Sequence, residues 1–66
     1  MTIVRNPTYD DIMSATRGLE LMKLTDGELT ALVEHHSAID VFASKVIVMA
    51  SERLLGLRRV IDETHK

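Results

Sequence analysis

A chain of 66 residues has room for one domain at most, and without cysteine it can draw on neither disulfides nor thiolate-bound metal. Its hydrophobic fraction of 45% argues against whole-chain disorder, and Tyr9 and Phe42 as the only large aromatic side chains argue against a stacking platform for single-stranded nucleic acid. A net charge of −2 speaks against non-specific nucleic-acid binding, which relies on an excess of positive charge.

The charge is unevenly spread. Arg5, Arg17 and Lys23 face five acidic residues in the first half, whereas Arg53, Arg58 and Arg59 form the one basic cluster, in the last third. A domain this small buries only about 60% of the surface its unfolded chain exposes, so a lone copy is marginal and a partner subunit is the expected source of further stability. Met1–Asn6 shows no signal-peptide pattern, and no run approaches the roughly 18–20 apolar residues of a membrane span, which predicts a cytoplasmic protein.

Residues 1–6 read as a tail or a short extended segment. A first helix is predicted over about residues 8–22. Pro7 stands where a missing N–H is harmless, Thr8 and Asp11 have cap spacing, and Asp10 and Asp11 complement the positive end of the helix dipole. Tyr9, Ile12, Met13, Thr16, Leu19 and Met22 then recur at spacings of three and four. Gly18 weakens this helix by roughly 1 kcal/mol relative to Ala.

Leu24-Thr25-Asp26-Gly27-Glu28-Leu29 carries the strongest local signal. Thr25 and Glu28 have the spacing of a capping box, and Leu24 and Leu29 that of a hydrophobic staple. The segment also resembles the LSDNEL stretch of small nucleoid-associated regulators of the Hha type; nothing is carried over from these six residues. A second helix therefore starts near Asp26. No proline follows, and one apolar stripe runs through Leu29, Leu32, His36, Ile39, Ala43, Val46, Ala50, Leu54, Leu57 and Ile61. The expectation is one helix over about 26–64, some 57 Å long at 1.5 Å per residue. The fold class is thus all-α, a helical hairpin pairing with a second copy into a four-helix bundle. The alternative is a three-helix monomer broken at Ser37, where Ser37-Ala38-Ile39-Asp40 again has cap spacing.

Val41–Ala50 is apolar on nearly every side, which implies burial on more than one face. The expected self-association surface comprises Ile39, Phe42, Ala43, Val46, Ile47, Met49, Ala50, Leu54 and Leu57, and His35, Arg53, Arg58 and Arg59 are candidates for binding a partner. His36 with Asp40 offers two metal ligands where a structural zinc site needs four, so no metal is expected. Ser37 beside His36 makes no catalytic pair, since neighbouring helical residues diverge, and the three glycines are isolated rather than gathered in a phosphate loop. Neither an enzyme nor a cofactor is expected.

The leading functional reading is a dimeric adaptor or inhibitor that binds and regulates a larger protein. Small stand-alone chains of this kind are common among phage and other mobile-element proteins. The alternative is a dimeric DNA-binding regulator of ribbon-helix-helix type, with Thr2-Ile3-Val4-Arg5 as its strand. The acidic first helix and the lack of basic residues around that strand weigh against it.

Overall fold

The computed structural model describes residues 5–64, and these are all-helical: α1 (Tyr9–Gly18), a single 3₁₀ turn (Leu21–Lys23), α2 (Asp26–His36) and α3 (Phe42–Thr64), with no strand among them. The segment considered as a strand, Thr2–Arg5, lies outside the described residues except for Arg5.

Both helix starts follow the sequence signals. The Thr8 hydroxyl accepts from the Asp11 N–H at 3.2 Å while the Asp11 carboxylate accepts from the Thr8 N–H at 2.9 Å. Thr25 and Glu28 repeat the exchange at 3.2 and 3.0 Å. Each box satisfies backbone donors that a helix start otherwise leaves orphaned. These bonds hold the Asp11 and Glu28 carboxyl groups below their ordinary pKa, the backbone N–H of the cap residue being the largest cause.

The first helix is shorter than its apolar spacing predicts. It ends at Gly18, and Glu20 takes a left-handed backbone conformation (φ 51°). That reversal turns the following residues, so Leu21 is buried while Leu19 and Met22, which the periodicity placed on the inner face, are exposed. Ile12 and Thr16 remain inside, and the Thr16 hydroxyl donates to the Ile12 carbonyl at 2.8 Å.

The single helix expected over 26–64 is divided. Residues 37–41 break it, and α3 runs back along α2: His36 meets Ser44 at one end of the pair, and Asp26 meets Arg58 at the other. The Ser37 hydroxyl turns back to the Val33 carbonyl and the Ile39 N–H to the His36 carbonyl, which closes the end of α2. A straight helix in a single copy would leave Leu29 and Leu32 in water, whereas folding back brings them into the cluster that holds Ala50 and Leu54. Leu29 is 0% exposed, a burial that stabilises by about 1.5–3 kcal/mol.

Helix α3 is the organising element, with α1, α2 and the 3₁₀ turn all packed on it. The core is Ile12, Leu21, Leu29, Ala50 and Leu54, lined by Leu24, Leu32 and Leu55. At 1.5 Å per residue α3 is about 34 Å long against about 16 Å for α2, so the shorter helices cannot cover its whole length.

Candidate interaction surface

The structure divides the residues expected to join two copies. Val46, Ala50 and Leu54 are buried within the chain's own fold. Ala50 and Leu54 pack with Ile12, Leu21 and Leu29 of the same chain, whereas Val46 also lines an open groove between α1 and α3. Phe42 and Ile47 are half-buried, and Ile39, Ala43, Met49 and Leu57 are exposed.

Met49 is exposed on another side of α3, beside Val48, and the remaining uncovered apolar residues of the helix fall into two places. Ala43, Val46, Ala50, Leu54, Leu57 and Ile61 recur at steps of three and four, so they share one face of the helix. Its middle is covered and its ends are not. At the C-terminal end Arg58 is bound to Asp26, the first residue of α2, so Leu57, Val60 and Ile61 lie where that helix stops; they are 44%, 60% and 56% exposed. At the N-terminal end Ala43, with Phe42, Val46 and Ile47, floors a groove of about 400 Å³ whose other wall is Asp11, Ser14, Ala15 and Leu19. Carbon atoms make up almost all of its surface.

Of the basic candidates, two are engaged. The Arg58 guanidinium donates to Asp26 Oδ1 at 2.7 Å and to the Met22 carbonyl at 3.0 Å, and so joins the 3₁₀ turn, α2 and α3. Arg53 lies over the Tyr9 ring at 5.4 Å. Arg59 and His35 are exposed. Arg5 pairs with Asp11 at 3.1 Å and stacks over the Phe42 ring at 4.3 Å. It is thereby bound to α1 and α3.

The histidine that sequence spacing set beside Ser37 finds a different serine. His36 Nδ1 lies 2.9 Å from Ser44 Oγ across the two antiparallel helices, a pairing that adjacency in sequence could not show. A hydroxyl and an imidazole at this distance are the first half of a nucleophilic pair. Here the Ser44 side chain is buried at 4% exposure, and the nearby Asp40 carboxylate is 3.8 Å from Lys45 Nζ rather than on the imidazole. The pair closes the turn between α2 and α3. His35 and His36 stand edge to face with ring centroids 4.8 Å apart. Among the described residues no group of three His, Asp or Glu side chains is gathered to hold a metal ion.

Comparison with protein-family models, curated proteins and solved structures finds no match to this chain.

Proposed function

We propose that this protein is a non-enzymatic interaction module that associates with itself and binds a larger protein in order to regulate it, as an adaptor or an inhibitor. The observation that carries the reading is the apolar surface left at both ends of α3, after the fold has covered everything its own short helices can reach. Isolated exposed leucines need no explanation, but a helix end and a groove on one continuous apolar face are the features by which helices dock on partners. A cytoplasmic location belongs to the same proposal; no described helix is long and apolar enough to cross a membrane.

The test is capture of partners from native lysate by the full tagged chain, with and without nuclease, beside the Leu57→Asp variant. A single protein retained through nuclease treatment, rebound when purified and lost with Leu57→Asp, is the expected result. Loss of every partner on nuclease treatment overturns the proposal in favour of nucleic acid, and makes Arg53, Arg58 and Arg59 the residues to mutate.

A further inference from the structure

We propose that residues 37–41 are a hinge through which two copies exchange their N-terminal parts: α2 and α3 join into one helix, and residues 5–36 of each copy pack on α3 of the other. This exchange uses the core and not the uncovered ends of α3, so it goes beyond the self-association read above.

The backbone of the turn is already close to helical. Ser37 has helical angles (φ −60°, ψ −32°) and its N–H still bonds four residues back, to Val33, while the Ile39 N–H bonds three back, to His36. Residues 37–41 hold neither glycine nor proline, and none of them has a positive φ. The reversal at Glu20, by contrast, is fixed by a left-handed residue. The start of α3 also lacks the signal that the other two starts carry. Val41 stands where Thr8 and Thr25 stand, and its side chain has no oxygen to accept from the first-turn N–H groups; that turn has no acidic residue either. A helix continued through 37–41 supplies those donors with backbone carbonyls.

The order of the elements lets one hinge exchange everything. Helix α3 is the sole described helix after the turn, and α1, the 3₁₀ turn and α2 before it all pack on α3. The contacts across the turn can therefore form between copies as they form within one: Leu29 with Ala50 and Leu54, Arg58 with Asp26, His36 with Ser44. The pairs His36–Ser44 and Asp26–Arg58 centre this antiparallel packing on residues 40–42, so a two-fold axis there relates two continuous helices in the same register. Ile39 is the member of the apolar stripe between His36 and Ala43. It is 37% exposed in the turn, and a continuous helix brings it back onto the packed face beside the axis.

Since α3 must leave its core before it can exchange, the two forms interconvert through unfolding, and a dimer once formed persists on dilution. The test uses the full chain, unfolded in urea and refolded at rising concentration, with monomer and dimer separated by gel filtration. The chain has no native cysteine, so a Thr30→Cys, Arg59→Cys variant carries spin labels at two exposed positions that line one cavity in the folded-back form. Mixing labelled chain with excess unlabelled chain before refolding restricts the measured distance to a single chain. The labels should be close together in the monomer and about 44 Å apart in the dimer, the span of a continuous helix rising 1.5 Å per residue. Asp40→Pro, which a continuous helix cannot hold without a break, should lower the dimer fraction at least about tenfold. The dimer should form undiminished in Leu57→Asp, unlike association through the uncovered ends. A dimer that keeps the short distance overturns the exchange and leaves self-association standing, and monomer alone at every refolding concentration overturns the exchange as well.

Discussion

Two threonines set the helix boundaries, and their contribution is tied to ionised carboxylates. Thr25→Ala removes the acceptor for the Glu28 N–H while keeping the backbone N–H that holds the Glu28 carboxylate, and should lower unfolding free energy by about 1 kcal/mol in urea titration. The pH dependence has a definite sign. Asp11 and Glu28 have lowered pKa in the folded chain, so the stability they confer is complete above the ordinary carboxylate range and is lost as pH falls through the lowered values. Melting temperature should therefore fall between about pH 5 and about pH 2, and more shallowly in an Asp11→Asn, Glu28→Gln double variant, which has no carboxylate to protonate in either box. Equal slopes would mean that the boxes are not the acid-sensitive elements.

Ser51 makes the opposite prediction. Its side chain is wholly buried, and Oγ has no hydrogen-bond partner among the described residues. An orphaned buried hydroxyl costs about 1–3 kcal/mol, and alanine is the better helix former. Ser51→Ala should raise stability by about 1 kcal/mol; a loss of that size would show that the hydroxyl finds a partner.

Capping signals are local, so at the scale of elements the starts of α1 and α2 were legible at Thr8 and Thr25. The turn at Glu20 was not, because a left-handed backbone at a glutamate leaves no mark in composition, and Leu21 replaced Met22 on the inner face as a result. The division of the long helix was half legible. Ser37 carried the cap spacing, yet the unbroken stripe from Leu29 to Ile61 suits one straight helix paired with a copy as well as two helices folded on each other. Periodicity records that a face is buried and is silent on what buries it. Hence Ala50 and Leu54 were recognisable as residues that pack, and the fold sets them with Leu29 and Leu32 of the same chain. The folded-back arrangement is tested at Leu29→Ala, which should lower stability by about 2–5 kcal/mol through loss of a fully buried side chain, against little change for Ile39→Ala in the turn. Similar small effects at both sites would contradict the packing of α2 on α3.

For the whole molecule, an α3 of 23 residues against shorter helices of 10 and 11 residues explains why surface is left over. The chain folds its central stripe inward and leaves the two ends of that stripe at the surface. This is why the candidate surface was legible in part: Ala43 and Leu57 stood in the expected set, whereas Leu19 and Ile61 entered it only once the turn at Glu20 and the end of α2 were placed. The groove joins residues from α1 and α3 that no spacing within one helix could associate.

The central claim, that these uncovered ends exist to be covered by protein, is met most directly by sedimentation equilibrium of the full chain from nanomolar to high micromolar concentration, with Leu57→Asp alongside. A reversible rise to twice the chain mass, abolished by the aspartate while helicity is retained, is the predicted result. A single-chain mass at every concentration, identical for both proteins, would contradict it.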